Sequence, residues 1–205
     1  MQCYVFNNAR KFDFFPELGF EGEAELKVVD ELKLLGVMVT SNLSWQSHVD
    51  YMSKRAFTML WMIRRLKPLG ASIDELLQVY QTQIRCILEF AVAAWNSGLT
   101  KGQVSQIEQV QKCVLAIILE KDYLNYENAL VVSGLERLDK RRNDLCLTFA
   151  KRAQKHPKLS KWFCKNEQAG VGTRSTKTTF KPVKARTGRY EKSPIAYLTR
   201  LLNEQ

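Results

Sequence analysis

Two histidines, His48 and His156, and five cysteines, Cys3, Cys86, Cys113, Cys146 and Cys164, are the residues of this 205-residue chain best suited to nucleophilic or metal chemistry. Neither histidine has a nucleophile and an orienting carboxylate at informative spacing, so a solvent-facing or helix-end histidine is expected at both positions. The cysteines are far apart, odd in number and never paired as CxxC, which suggests reduced thiols rather than a disulfide framework or a zinc site. Cys146, His156 and Cys164 are loosely spaced and lack a fourth ligand. Of the adjacent carboxylates, Asp30-Glu31 falls between strand-like runs. Asp74-Glu75 falls in the first turn of a helix, where negative charge suits the dipole. No phosphate-cradling glycine loop, HExxH or EF-hand pattern occurs. The residues therefore predict no catalytic site, no metal and no cofactor for this chain alone.

The chemistry that remains is that of cations. The chain carries a net charge of +10, unevenly placed: residues 1–50 hold 4 basic and 8 acidic residues, whereas residues 151–205 hold 14 and 3, a local charge of +11. Such a tail either keeps a protein in solution or attracts polyanions with a strong dependence on salt. The aromatic residues Trp162, Phe163, Phe180, Tyr190 and Tyr197, interleaved with the cations, favour nucleic acid. The candidate contacts in the tail are Lys158, Lys161, Lys165, Arg174, Lys177, Lys181, Lys184, Arg186 and Arg189. A second set is Lys54, Arg55, Arg64, Arg65 and Lys67.

The elements that must position these side chains follow from periodicity. Cys3–Phe6 is a strand-like run, residues 10–24 suit a loop or splayed hairpin, and Glu25–Val29 with Leu32–Thr40 suggest a small antiparallel sheet around Asp30-Glu31. From Ser44 the period becomes helical. Val49, Met52, Ala56, Met59, Leu60, Ile63 and Leu66 form one stripe, stopped by Pro68 and Gly70. Ser72 to Glu75 is a capping box opening a helix that continues to Trp95. Further helices are predicted after Thr100, over Asn125 to Val132, and from Leu135 to Lys155, the last with Leu138, Leu145, Phe149 and Ala153 inward. A short one is predicted over Pro194 to Leu202. The fold class is mainly α, a helical bundle preceded by a small antiparallel β-element and followed by a basic arm. The domains are drawn at 1–43, 44–164 and 165–205, the last loosely ordered by its composition.

The run from Glu31 to Trp45, followed by His48 and Lys54, resembles the stretch after the catalytic palm of non-LTR retrotransposon reverse transcriptases. Leu76 to Tyr80, Ile84-Arg85, Leu88 to Ala91, Trp95 and Ser97 to Leu99 continue the resemblance in order. So do Ile107-Glu108, Val110 to Lys112, Tyr123, Ala129-Leu130, Leu135, Leu138 and Arg141-Arg142, so that it covers roughly residues 1–165. It implies that Leu34, Leu35, Gly36 and Val37 belong to a primer grip at the end of the palm. It also implies that the helices from Ser44 onward form a thumb-like domain gripping template and primer by their backbones. Lys54, Arg55, Arg64, Arg65 and Lys67 lie mostly off the apolar stripe, as such a grip needs.

The same resemblance implies a metal-binding aromatic-x-Asp-Asp motif, which this chain does not contain. The resulting expectation is a C-terminal fragment of an RNA-directed DNA polymerase, cut off after its catalytic aspartates. It would bind RNA or DNA through the backbone, without base specificity, and would not polymerise. The alternatives are an orphaned helical module that self-associates through surface its missing palm left bare, and a relic without function. No run is long and apolar enough to span a bilayer, and the start of the chain lacks a secretory pattern. An intracellular place, cytoplasm or nucleus, is expected, with no membrane partner.

Overall fold

The computed structural model describes residues 4–5, 27–166 and 179–204. These residues are mainly helical, with a small two-stranded antiparallel sheet ahead of the helices. Two compact units divide the chain at Met52 and Ser53.

The first unit holds a short parallel pair, β1 (Tyr4–Val5) with β2 (Lys27–Val28), and an antiparallel hairpin, β3 (Glu31–Leu34) with β4 (Val37–Thr40). The hairpin corrects the expected pairing around Asp30-Glu31. Glu31 lies inside β3 opposite Thr40, and the chain reverses at Leu35-Gly36, both with positive φ (47° and 89°). Positive φ at both central residues defines a primed two-residue turn, whose twist matches that of the strands, and Gly36 adopts it without steric cost. The predicted loop over 10–24 lies outside the described residues. Asn42 Oδ1 accepts from Ser44 N at 2.9 Å and shapes the entry to α1 (Gln46–Leu66). Val49 and Met52 are buried on the first turns of α1, as the stripe predicted.

In the second unit, the stripe of α1 continues through the buried Ala56, Leu60 and Ile63, while Met59 and Leu66 are half-buried. A 3₁₀ turn containing Pro68 ends α1, and Gly70 reverses the chain at φ 89°. The capping box is present: Ser72 Oγ accepts from Glu75 N at 3.3 Å, and Glu75 Oε2 accepts from Ser72 N at 2.7 Å. It opens α2 (Ile73–Val79), which packs on α5 (Lys101–Leu119).

The helix predicted to run unbroken to Trp95 does not do so. After α2 the backbone widens into a π-helical segment, Tyr80–Arg85, and then forms α3 (Cys86–Glu89). Phe90 leaves the helical region (ψ 129°), Ala91 is left-handed (φ 51°), and α4 (Val92–Trp95) starts anew. The carbonyl of Phe90, which lies outside both helices at the break, accepts from the buried indole Nε1 of Trp95 at 2.8 Å. Pairing this part-buried carbonyl makes the break tolerable. Periodicity still identified the inward side chains, because Tyr80, Ile84, Leu88 and Trp95 are all buried.

Helix α5 is the central element, with Ile107, Val110, Val114 and Leu115 fully buried. Complete burial of such a side chain stabilises by about 1.5–3 kcal/mol. Helices α6 (Tyr126–Ser133) and α7 (Leu138–Lys155) pack on α5. The inward row of α7 keeps the expected Leu138 and Ala153 but corrects the rest: Arg142, Cys146 and Ala150 are buried, while Leu145 is half-buried and Phe149 exposed. The small residues of this row let the neighbouring helices approach closely, a role that a search for large apolar side chains overlooks.

The described part of the basic tail is tied to the bundle. Lys165 forms an antiparallel bridge to Phe180, and the Phe163 and Phe180 rings meet edge-on at 6.2 Å. Helix α8 (Gly188–Glu191) leads to α9 (Pro194–Asn203), which packs on α7 and α4 and buries Leu198 and Leu202. Asn203 donates to the Phe180 carbonyl at 3.0 Å and accepts from Phe180 N at 2.9 Å. Among the described residues, no helix is long and apolar enough to cross a membrane.

Candidate nucleic-acid interface

Helix α1 sets the geometry of the first cation group. Residues three, four, seven and eleven apart share a helix face, so Lys54, Phe57, Trp61 and Arg65 fall along one line, with Arg64 beside it. Lys54, Arg64 and Arg65 are exposed, and no described acidic side chain lies within ion-pair distance of them. Arg55 is also exposed, on the adjoining face. The two aromatic residues are the ones sequence reasoning passed over: Trp61 is 56% exposed and Phe57 38%. Their position off the apolar stripe was the available signal.

Lys67 has a different place from the other four. Its Nζ donates to the carbonyls of Ile117 and Ile118 at 2.5 and 2.9 Å and pairs with Glu120 at 2.9 Å. It closes the C-terminal end of α5, where a cation meets both the last free carbonyls and the negative end of the dipole. The primer-grip-like residues form the hairpin tip, with Leu34 and Leu35 exposed and Val37 buried.

In the tail, Lys158, Lys161, Lys165, Lys181, Lys184, Arg186 and Arg189 are all exposed. The bridge at Phe180 brings Lys165 and Lys181 from two segments into one strand-like pair, with Lys181 N donating to the Cys164 carbonyl at 2.9 Å. Arg174 and Lys177 lie outside the described residues. The tail aromatics divide by role. Phe163 and Phe180 are buried, and the Tyr197 hydroxyl donates to Asn143 Oδ1 at 2.6 Å, so these three serve the fold. Trp162 and Tyr190 are exposed and line an apolar groove of about 720 Å³ with Val92, Phe149, Pro194 and Leu198.

The remaining polar groups are structural in geometry. Glu108, buried on α5, accepts the Tyr126 hydroxyl and the backbone N–H of Leu138 (3.1 Å), so it caps α7 from another helix. Gln111 accepts from Tyr80 at 2.5 Å and donates to the Glu136 carbonyl at 2.9 Å. Burial raises both phenols, so they remain protonated donors, and the buried Cys146 thiol is pushed up to about 11.

Arg141 and Arg142 both find partners outside their own helix. Arg141 meets Glu89 at 2.5 Å. Arg142 is 1% exposed and donates to Asn96 at 3.1 Å; burial lowers its pKa, against the pull of Glu108 and Asp139.

His48 is at a helix end but is buried rather than solvent-facing, with Nδ1 accepting from Met38 N at 3.3 Å; burial lowers its pKa to about 4. Among the described residues, no group of three or more His, Cys, Asp or Glu side chains is placed to hold a metal ion. Comparison of the chain with protein-family models, curated proteins and solved structures yields no match.

Proposed function

We propose that this chain is the C-terminal part of a non-LTR retrotransposon RNA-directed DNA polymerase that holds RNA or DNA by its backbone and does not itself polymerise. The observation that carries this reading is the α1 surface, where Lys54, Arg64 and Arg65 are exposed without acidic partners among the described residues. A grip on phosphates needs cations held at fixed spacing on a rigid element, and α1 supplies that. The exposed tail cations add to the attraction. That the sequence holds no aromatic-x-Asp-Asp motif supports a reading of grip rather than of metal-dependent phosphoryl transfer.

Fluorescence anisotropy with labelled RNA and DNA at rising salt tests the reading. Neutralising about four phosphates predicts a log–log slope near −3 to −4 on duplex and a slightly shallower one on single strands. Affinity weaker than about 100 μM at low salt, or binding indifferent to salt, would remove it.

The apolar groove lined by Trp162 and Phe149 favours a second reading, a module that associates with itself or a protein partner. Light scattering separates the two. A strictly monomeric chain that binds no hydrophobic dye counts against the second reading.

A further inference from the structure

We infer that the outer face of α1 is a single-strand site, with Trp61 and Phe57 stacking unpaired bases between phosphate contacts made by Lys54, Arg64 and Arg65; this rests on the backbone-binding reading above. Trp61 is 56% exposed at the centre of the face, one turn from Phe57 at 38%. Four residues of helix place their backbone positions about 6 Å apart along the axis. The sequence has no acidic residue between Asp50 and Asp74, so from Lys54 to Arg65 the face carries only positive charge, and Asp50, exposed one turn before Lys54, accepts from the Gln46 amide at 2.9 Å.

The choice of single strands follows from access. In a duplex the bases lie stacked inside the helix and offer grooves and phosphates, whereas an unpaired base presents its π-face to a protruding indole. Cations alone would serve duplex and single strand alike. Two exposed aromatic rings placed between those cations serve only the second.

A lipid surface fits less well. A helix lying in a membrane interface needs a contiguous apolar face with cations on the opposite side. The contiguous apolar face of α1 is buried through Ala56, Leu60 and Ile63, and Lys54 and Arg65 share the line of Trp61.

The test uses the full chain with labelled oligothymidylate of about 12 nucleotides, within the usual site size for such binders. A duplex of equal length and phosphatidylserine vesicles are the other two arms. Wild type should bind the single strand more tightly than the duplex. Trp61→Leu, which keeps apolar bulk but no π-face, should weaken single-strand binding about ten-fold and leave duplex binding unchanged, and Trp61→Phe should restore most of the loss. Phe57→Leu is the second variant and should show the same selective loss to a smaller degree. Circular dichroism of each variant should match wild type.

Equal single-strand affinity of wild type and both leucine variants overturns the stacking site, while salt-dependent binding that persists leaves the backbone reading standing. Failure of wild type to bind either nucleic acid overturns both. Tighter binding to vesicles than to the oligonucleotide overturns the proposal in favour of a lipid surface.

Discussion

Helices α1 and α7 each carry an adjacent pair of arginines, Arg64-Arg65 and Arg141-Arg142, and the two pairs have opposite fates. On α1 both guanidinium groups face solvent with no acidic partner among the described residues. On α7 one reaches across to Glu89 and the other is enclosed, with Asn96 at its Nε and the charge of Glu108 acting on it. A cation in the core is a structural element whose removal leaves buried partners uncompensated, while a cation on the surface costs the fold little and remains available to a ligand. The same contrast divides Lys67, which closes α5, from Lys54 on the same chain segment.

The largest effect should come from the buried side of this comparison. Glu108→Ala removes the acceptor for Tyr126 and Leu138 N and the main counter-charge of Arg142, and should cost about 3–5 kcal/mol in urea unfolding. Glu108→Gln, which keeps one acceptor oxygen, should cost clearly less. If alanine proved as stable as wild type, the distinction between buried and exposed charges would fail here.

The buried end of α1 supplies a pH test. His48 titrates near 6.5 when unfolded and near 4 when folded, so the unfolded chain binds the extra proton between these values. Stability contributed by the neutral imidazole is therefore complete above pH 6.5, declines as pH falls toward 4 and is constant below. Each pH step of one between the two midpoints is worth about 1.36 kcal/mol, so the loss should reach about 3 kcal/mol. His48→Gln should flatten this segment of the urea midpoint against pH. An NMR titration placing the His48 midpoint near 6.5 would refute the assignment.

Lys67→Gln should cost about 1–2 kcal/mol of stability through the lost carbonyl and Glu120 contacts, yet leave the salt slope of nucleic-acid binding unchanged. Lys54→Gln should do the reverse, with stability within about 0.5 kcal/mol of wild type and a salt slope shallower by about one. Equal slopes for Lys54→Gln and wild type would take Lys54 out of the interface.

Much of the fold was legible in advance. The stripe of α1, its termination at Pro68 and Gly70, the Ser72 capping box and the helix beginning at Pro194 each depend on residues within a few positions of one another. The break at Phe90-Ala91 was not legible. It is stabilised by an indole five residues away, and the apolar stripe on either side continues as though no break occurred. The candidate interface was half legible, because charge is a property of composition. Whether a given lysine is available depends on what folds against it.

By itself, the sequence determined the helical class, the local starts and stops, the charge asymmetry and the cations of α1, because propensity, capping and net charge are local or additive quantities. Tertiary structure decided that Lys67 and Arg142 serve the fold while Lys54 and Arg65 face solvent. It also decided that three of the tail aromatics are bound up in packing, and that Trp61 and Phe57 are left on the surface. The reason is distance along the chain: Lys67 meets carbonyls 50 residues away and Arg142 an amide 46 residues away. No local pattern encodes such partners.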